Sequence, residues 1–386
     1  GLNARITNKF LDELRSKGSL MSGVTLGEER GDIFVAAFDP TFLPIGMKTD
    51  DSDNKIIACA LNLMHHGRDV LMVSRDINMR VKCDSVGIPC EDYQPEKVIS
   101  SVNQLFDGCT TVTVDNATID DFYTGVPVLM PEETKLFPNQ LVVLKNKGGK
   151  KSALCRYTTP DQPLRKITKY KNICGLSARN KEQEFAMDLL FDNNIHILSM
   201  TGPAGTGKTL LAAACGLEQV ISRPKSEGGY DKLIITRPVQ PMGRDIGFLP
   251  GTIEEKMAPW IAPLRDNLEH LYGDRMALDM QIEQGVIEIE AMTFIRGRSI
   301  SNAFIIVDEA QNLTAHELKT IITRVGHGTK LILTGDVQQI DNSYVDAVSN
   351  GLTHAVEKFK SYEISGHVTL YKGERSTLAT LAAEIL

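Results

Sequence analysis

A glycine-rich segment that ends in lysine and threonine has the residue types that bind nucleotide phosphates: Gly202-Pro-Ala-Gly-Thr-Gly-Lys208-Thr209. It follows the apolar segment IHILSM and opens the helical pattern TLLAAACGL, the strand-to-helix context of a Walker A motif. The glycines let backbone N–H groups surround the phosphates, Lys208 adds a positive charge, and Thr209 offers its hydroxyl to Mg²⁺. A plain glycine turn is the alternative, but this pattern seldom arises by chance between a strand and a helix. We therefore predict a nucleoside triphosphate site with the phosphate-binding residues Gly202, Pro203, Ala204, Gly205, Thr206, Gly207, Lys208 and Thr209.

Two adjacent carboxylates, Asp308 and Glu309, end the apolar segment AFIIVDE. Ligands gather at the carboxyl ends of parallel strands, so both side chains would reach the bound nucleotide. Asp308 is suited to hold the Mg²⁺ shell, and Glu309 to orient or deprotonate the attacking water. A phosphotransferase acting on a small acceptor would not need the second carboxylate, which favours hydrolysis. The alternative is that the pair caps the helical segment AQNLTAHEL.

A third apolar segment, KLILTGD, ends in Gly335-Asp-Val-Gln-Gln339. Polar residues at the tip of a neighbouring strand can sense whether the γ-phosphate is present. Asp336 and Gln339 are the candidates for this role. A Gly-Asp pair after an apolar strand is also an ordinary turn signal, so that alternative stays open.

The periodicity of the chain predicts the elements that would position these residues. Helical and strand patterns alternate first in a small α/β unit, with helices FLDELRS, NKIIACALNLMHH and INMRVKCDS and strands DIFVAAFD and DVLMVS. Short β-rich pieces follow, and Gly148-Gly149 would turn QLVVLKN and SALCRYT into a hairpin. Longer strands and helices then alternate, and strands that are apolar almost throughout fit a parallel sheet covered on both faces. We predict an α/β protein with domains at residues 1–97, 98–170 and 171–386.

The composition is that of an ordinary globular protein: 386 residues, 42% of them hydrophobic, with a net charge of −7. That charge argues against a protein that coats nucleic acid or a membrane over its whole surface, but it allows a local basic site. The seven cysteines include no Cys-x-x-Cys pair, so neither a disulfide framework nor a zinc site is expected. Without an apolar run of membrane-spanning length or a signal-peptide pattern, we expect a reducing, cytoplasmic setting. The chain starts without methionine, and we expect a strand before its first helix to be missing.

The segments GPAGTGKT, VDEAQN and LTGDVQQID together resemble the PhoH-like ATPases, which share their core with superfamily 1 helicases. The resemblance extends through RNKEQEFAMDLL, ITRPVQPMGRDIGFLPGTIEEKMAPW, FIRGRSISNAFIIVDEAQN and LYKGERSTLATLAAEIL, and so covers nearly all of residues 175–386. It implies a RecA-like P-loop domain that uses ATP. It also implies that Gln183, at the position of the helicase Q-motif, reads the adenine and that Gln339 couples the γ-phosphate to motion.

The same resemblance implies a homo-oligomer, a hexameric ring in which a neighbouring subunit closes over the nucleotide and supplies an arginine. Arginine neutralises the charge that develops on the γ-phosphate. Arg375 is the first candidate for this catalytic role. The other arginines in family-like segments are Arg237, Arg244, Arg296 and Arg298. An arginine of this kind is also a common surface or ion-pair residue, so the choice among them stays open.

The front of the chain resembles the PIN domain of the longer PhoH-like proteins, through DSDNKIIACALNL and LMVSRDINMRVKCDSVGIPCEDY. PIN ribonucleases cluster acidic residues around Mg²⁺ or Mn²⁺, which activates a water. Asp53 and Asp76 match two of these acids, and both would converge at one edge of an α/β sheet. The alternative is that both are helix N-caps. The family's first Asp and an early Glu would precede Gly1, so we expect half of the metal site to be absent.

Residues 135–171 contain ten lysines and arginines against a single acid, Asp161, a net charge of +9. The aromatic residues Phe137, Tyr157 and Tyr170 are interleaved, which suits phosphate contacts and base stacking by a small OB-like or TRAM-like RNA-binding module. A solvated hairpin and charged linker is the alternative. The RNA-binding candidates are Lys145, Lys147, Lys150, Lys151, Arg156 and Tyr157.

Together these features favour an ATP-driven enzyme that unwinds or remodels single-stranded RNA and feeds it to the attached PIN ribonuclease. Two other classes stay open. One is a regulatory, toxin-like PIN protein whose ATPase acts as a switch and never translocates. The other is a P-loop kinase for a small molecule, against which Glu309 and the segment from Gly335 to Gln339 argue.

Overall fold

The computed structural model describes residues 2–27, 31–74, 76–92, 98–131, 133–238, 253–295, 298–342 and 345–373. The chain divides into two compact units, residues 1–95 and 96–386. In the ranges that the structure describes, every helix is too short or too polar to cross a membrane.

The first unit is a small α/β assembly. Its elements are α1 (Leu2–Arg15), β1 (Val24–Thr25), β2 (Asp32–Ile33), α2 (Ser52–His65), β3 (Met72–Val73), α3 (Ile77–Ser85) and β4 (Cys90–Glu91). Strand β1 pairs antiparallel with β2, and β3 pairs parallel with β4. Its core packs α2 against α3, through Ile57, Ala60, Met79 and Cys83.

The first unit confirms the predicted helices and shortens both predicted strands, with DVLMVS reduced to the two residues of β3. Asp51 caps α2 and Asp76 caps α3, each by accepting a hydrogen bond from the backbone N–H two residues on. The strand predicted for DIFVAAFD is wrong beyond Ile33, because its partner β1 offers only two residues to pair with. The apolar side chains that follow, Phe34 and Val35, are exposed.

The basic segment forms three strands of a small four-stranded sheet in the second unit, and the remaining strand precedes it in the chain. Its elements are β5 (Cys109–Val114), α4 (Asn116–Thr124), β6 (Leu141–Asn146), β7 (Ser152–Arg156) and β8 (Arg165–Lys166). The sheet order is β5-β6-β7-β8, with β5 and β6 parallel and the other pairs antiparallel. The predicted hairpin between β6 and β7 is confirmed, and Gly149 takes a positive φ of 66° in its turn. With α4 connecting parallel strands, this is an open sheet and not the barrel of an OB fold.

The rest of the second unit is built on a six-stranded parallel sheet. Its strands are β9 (Ile197–Thr201), β10 (Lys232–Arg237), β11 (Ile287–Ala291), β12 (Ala303–Val307), β13 (Lys330–Gly335) and β14 (Ser365–Thr369). Their order is β11-β10-β12-β13-β9-β14, so the strand before the phosphate loop lies between β13 and β14. Every pairing is parallel, as the sequence predicted.

Helices cover both faces of this sheet and complete a RecA-like P-loop fold. They are α5 (Lys181–Phe191), α6 (Lys208–Leu217), α7 (Ile253–Tyr272), α8 (Arg275–Glu283), α9 (Met292–Ile295), α10 (Ala315–Ile322) and α11 (Gly351–Phe359). One core contains residues of α5, α6, α7 and α8, and the other contains residues of α10 and α11. Because both faces are buried, the strands are apolar almost from end to end.

Candidate functional site

The phosphate loop lies between β9 and α6, and three of its glycines, Gly202, Gly205 and Gly207, have a positive φ. Gly202 has a φ of 140°, and a Cβ there would collide with the main-chain oxygen of Leu370. Gly207 has a φ of 89° and is the N-cap of α6. The loop therefore brings backbone N–H groups to a helix N-terminus, where an anion is stabilised.

Lys208 is buried inside this loop. Its Nζ donates to the main-chain oxygens of Gly202 at 2.6 Å and Pro203 at 2.9 Å. Thr206 donates its hydroxyl to the same Pro203 oxygen at 2.9 Å. The ammonium group thus lies on the concave side of the loop, the place that phosphates occupy in a Walker A motif.

Asp308 connects the carboxyl ends of β12 and β13 with the start of α6. Its Oδ1 accepts a hydrogen bond of 2.6 Å from the Thr209 hydroxyl and another of 2.6 Å from the Thr334 hydroxyl. Asp308 is only 7% exposed. A hydroxyl and a carboxylate oxygen at the phosphate loop form the hard oxygen donor set that suits Mg²⁺. The residues present therefore fit the metal that accompanies a nucleoside triphosphate.

Glu309 has an unusual backbone for a non-glycine residue, with a φ of 54° and a ψ of 40° in the left-handed region. Its Oε2 accepts a hydrogen bond from the Gln311 Nε2 at 2.6 Å, and its Oε1 lies 3.4 Å from the Arg237 Nη2. Strained residues of this kind concentrate at functional sites. The carboxylate is half-buried and held by two partners, as a group that positions a water should be.

The two candidate sensor residues differ in exposure. Asp336 is buried, and its side chain accepts a hydrogen bond from the Gln338 N–H at 3.0 Å. Its own N–H donates to the Gln311 Oε1 at 3.2 Å. Gln339 is exposed, and its main-chain oxygen accepts a hydrogen bond from the Gln311 Nε2 at 2.8 Å. Gln311 therefore connects Glu309 with the loop after β13.

Gln183 lies at the first turn of α5, next to the phosphate loop. Its Nε2 donates to the main-chain oxygen of Thr206 at 3.2 Å, and its Oε1 accepts from the Arg179 N–H at 2.8 Å. It is only 5% exposed. Both ends of its amide are thus bound to the chain's own backbone, so its role as an adenine reader stays a prediction.

Two functional residues were missed by the sequence analysis, Gln311 and Thr334. Gln311 is fully buried and makes three hydrogen bonds, and Thr334 is fully buried and orients Asp308. The only sequence signal was a polar residue two positions after Glu309 and another just before the tip of an apolar strand.

The candidate arginines fall into two groups. Arg298 forms ion pairs with Glu288 at 3.0 Å and Glu290 at 2.9 Å. Burial lowers its pKa, but the hydrogen bonds and charges of these carboxylates outweigh burial and leave the pKa raised. Arg237 contacts Glu309 within the same chain. Three others, Arg244, Arg296 and Arg375, lie outside the described residues. Which arginine acts on a neighbouring nucleotide stays a prediction.

The acidic candidates of the first unit are engaged by neighbouring groups. The Lys82 Nζ lies 2.9 Å from the Asp51 carboxylate and 3.4 Å from the Asp53 carboxylate. The Lys82 hydrogen bond holds the pKa of Asp51 below its usual value. Asp76 caps α3 by accepting from the Asn78 N–H at 2.8 Å, so the N-cap alternative holds for that residue. Within the described ranges, no three His, Cys, Asp or Glu side chains form a group that could hold a metal ion. The described residues of this unit therefore do not fit the metal of a PIN nuclease.

Two of the six RNA-binding candidates are wrong. Arg156 is 2% exposed and pairs with Asp188 at 3.1 Å and Asp192 at 2.8 Å, so it joins the small sheet to α5. Tyr157 is 6% exposed and packs in the core of the small sheet. A guanidinium between two buried carboxylates and a phenol inside a core cannot contact RNA. The lysines Lys145, Lys147, Lys150 and Lys151 are all exposed.

The other two aromatic residues of the basic segment also pack within the protein. Phe137 meets Phe106 edge to face, with ring centroids 5.1 Å apart. Tyr170 stacks on Phe191 with centroids 4.2 Å apart, and burial raises its pKa. Neither ring presents a free face for base stacking of the kind that the sequence analysis expected.

Known families and known proteins match this chain in both of its units. A family model described as PhoH-like protein matches residues 175–384, and one described as PIN domain matches residues 1–94. A protein named PhoH2 from Bacillus subtilis (strain 168) is 40% identical over 402 residues, which cover 100% of this chain and 89% of the relative. A PhoH2 protein from Thermobispora bispora is 37% identical over 392 residues, with coverage of 100% and 86%.

Among solved structures, the UvsW helicase from Bacteriophage T4 is similar to this chain with a TM-score of 0.32 and 11% sequence identity. The match covers 76% of this chain and 77% of the helicase chain. A likeness at this TM-score carries no argument about function.

Proposed function

Because this chain belongs to the PhoH-like protein family, with a PIN domain ahead of its P-loop domain, we propose that it hydrolyses ATP to bind, unwind or remodel single-stranded RNA. One observation carries the ATPase part of this proposal. The Thr209 hydroxyl and the Asp308 carboxylate, from opposite halves of the nucleotide site, meet at 2.6 Å. That contact assembles the two motifs that bind and act on a nucleoside triphosphate.

The chain's own residues supply the chemistry of hydrolysis. The phosphate loop binds the phosphates through backbone N–H groups, and Lys208 neutralises their charge. Glu309 orients or deprotonates the attacking water, while Gln311 fixes the carboxylate at 2.6 Å. When bound at Thr209 and Asp308, Mg²⁺ supplies electrostatic stabilisation of the charge that develops on the phosphates.

The RNA part of the proposal is supported by the exposed lysines of the β6–β7 hairpin, Lys145, Lys147, Lys150 and Lys151. Lysines of this kind contact phosphates, so binding would weaken as salt increases. We further propose a homo-oligomer, by family resemblance a hexameric ring, in which an arginine of one copy reaches the ATP of the next. Light scattering at several protein concentrations measures the number of subunits.

We assign no RNA cleavage step to the first unit. The Asp51 and Asp53 carboxylates both form ion pairs with Lys82, and the Asp76 carboxylate is a helix cap. Cleavage by a PIN nuclease requires several free carboxylates around Mg²⁺ or Mn²⁺. The described residues of the first unit do not provide them.

The decisive experiment measures ATP hydrolysis with and without single-stranded RNA, for this chain and for its Lys208→Ala variant. We expect RNA to stimulate turnover and the substitution to abolish it. A third protein, with Lys145, Lys147, Lys150 and Lys151 replaced by glutamate, should keep basal turnover and lose the stimulation. Turnover that ignores RNA would contradict the remodelling function and leave only the ATPase.

Two further measurements separate the alternatives. A strand-displacement assay distinguishes a motor from a regulatory switch, since a switch would bind and hydrolyse ATP without unwinding RNA. Transfer of labelled γ-phosphate to a small acceptor would instead identify a kinase. We expect release of free phosphate, because Glu309 is placed to act on water.

A further inference from the structure

One aromatic ring of the small sheet is exposed, and it lies on α4. Six Phe and Tyr residues occur between residues 98 and 171, and Tyr123 alone among them is exposed. The residue is 55% exposed. The sequence analysis did not select it, because it lies before the lysine-rich segment.

The ring is held in place at one end. The Tyr123 hydroxyl donates to the main-chain oxygen of Ser152, the first residue of β7, at 2.9 Å. This bond fixes the ring on the small sheet, although more than half of the residue stays exposed. A fixed aromatic ring loses little conformational entropy when a planar ligand stacks on it.

One cation lies over this ring, and two others lie on the hairpin next to Ser152. The Lys166 Nζ lies 5.8 Å from the ring centroid. Lys151 precedes Ser152 in the chain, and Lys145 is the register partner of Ser152 across the hairpin. An open ring among lysines is the arrangement that binds a single nucleic acid strand, with bases on the ring and phosphates on the cations.

Two acidic residues lie on the same helix, and their negative charges would repel an anionic partner. Asp120 pairs with Lys151 at 2.8 Å, and Asp121 is exposed beside it. Both members of the Lys151–Asp120 pair are at least half exposed, so the pair contributes little and can exchange for a phosphate. Among the described residues no carboxylate pairs with Lys166, which leaves this cation available next to the ring.

We propose that Tyr123 is a base-stacking position for single-stranded RNA, with Lys166 and Lys151 contacting the phosphates on either side. The partner is single-stranded because the bases of a duplex stack on one another and present no free face. The proposal rests on the proposed function for the identity of the nucleic acid, and it adds the residue that recognises unpaired bases.

The first test measures the affinity of the whole chain for a labelled oligouridine of about 12 nucleotides. Tyr123→Ala should weaken binding by about 5- to 100-fold, the range for one stacked base. Tyr123→Phe keeps the ring and should stay within about twofold of the parent protein. Tyr362→Ala removes an equally exposed tyrosine from another part of the same unit and should change nothing. Equal affinities of the Ala and Phe variants would overturn the proposal.

A second test reports stacking directly. An RNA strand carrying 2-aminopurine should lose fluorescence when the parent protein or Tyr123→Phe binds, and should keep it with Tyr123→Ala. Lys166→Gln should reduce the slope of log affinity against log salt by about 0.7, the value for one phosphate contact on a single strand. Duplex RNA and single-stranded DNA serve as comparison ligands. Duplex binding that falls as far as single-strand binding in Tyr123→Ala would contradict a stacking role.

The measurements give different results if only this proposal is wrong and if the proposed function is wrong as well. If Tyr123→Ala binds RNA as tightly as the parent protein and RNA still stimulates ATP hydrolysis, the stacking position is wrong and the function stands. If the parent protein does not bind RNA at all, both are wrong. Thermal unfolding and ATP hydrolysis without RNA confirm that each variant is folded, and we expect both to be unchanged because Tyr123 is exposed.

Discussion

The side-chain amide of Gln311 donates a hydrogen bond of 2.6 Å to the carboxylate of Glu309. The same nitrogen donates to the main-chain oxygen of Gln339 at 2.8 Å, and the Gln311 Oε1 accepts from the Asp336 N–H at 3.2 Å. Gln311 is fully buried. A single rigid amide therefore fixes the proposed catalytic carboxylate relative to the loop that would sense the γ-phosphate.

This geometry makes Gln311 a positioning residue for Glu309. Gln311→Met keeps the size of the side chain and removes all three hydrogen bonds, so we expect kcat for ATP hydrolysis to fall about 10- to 100-fold. The affinity for ATP should change less than about threefold, since Gln311 does not contact the phosphate loop. Gln338→Met, at an exposed neighbouring glutamine, is the matched control. A loss of ATP affinity as large as the loss of kcat would argue for a merely structural role.

Thr334 should affect the concentration of Mg²⁺ that ATP hydrolysis requires, because its hydroxyl orients Asp308. Thr334→Val keeps the shape of the side chain but removes the 2.6 Å hydrogen bond to the Asp308 Oδ1. Loss of a residue that orients a metal ligand typically costs 10- to 100-fold in metal affinity, and we expect a shift of about that size here. Titrating ATP hydrolysis with Mg²⁺ measures it. Thr334→Ser retains the hydroxyl and should titrate like the parent protein, and identical curves for Val and Ser would refute the role.

The residues that the sequence selected for the nucleotide site lie together in the structure, and the signals that selected them are local. The spacing from Gly202 to Thr209, and the position of Asp308 after an apolar strand, depend only on neighbouring residues. The surroundings of Arg156 depend on Asp188 and Asp192, which are more than thirty residues away along the chain. A basic residue adds one positive charge to its segment whether it is exposed or buried in an ion pair, so the composition cannot distinguish the two. The hydrogen bonds of Gln311 likewise depend on where β13 ends in space, which no local pattern specifies.

Arg156 is buried and Lys147 is exposed, and this difference predicts different effects of replacing these two basic residues of the small sheet. Arg156→Met leaves Asp188 and Asp192 with one cation fewer in a buried site, so we expect it to lower the free energy of unfolding by about 3 kcal/mol. Lys147→Met, on the exposed hairpin, should change that free energy by less than about 0.5 kcal/mol and should weaken RNA binding. Urea unfolding and RNA affinity, measured on both variants, check the assignment. An Arg156→Met variant of unchanged stability would show that the ion pairs do not join the sheet to α5.

Lys330 should make the stability of the second unit depend on pH above neutrality. Its Nζ is buried at the start of β13 and donates to the main-chain oxygens of Leu189 and Asp192, each at 2.7 Å. Burial lowers the pKa of Lys330 to about 7, although the nearby Asp192 carboxylate acts to raise it. The neutral amine keeps two N–H groups, so it can still donate both hydrogen bonds.

The direction of the pH effect follows from this lowered pKa. Between about pH 7 and the ordinary lysine pKa of about 10.4, the unfolded chain holds a proton on Lys330 that the folded chain lacks. The free energy of unfolding should therefore rise with pH across this window, by about 1.4 kcal/mol per unit, and the rise should stop below pH 7. Lys330→Met should remove this part of the slope, while all other titrating groups affect both proteins equally. Parallel stability curves for the parent protein and Lys330→Met from pH 7 to about pH 9 would mean that the buried amine stays charged in the folded protein.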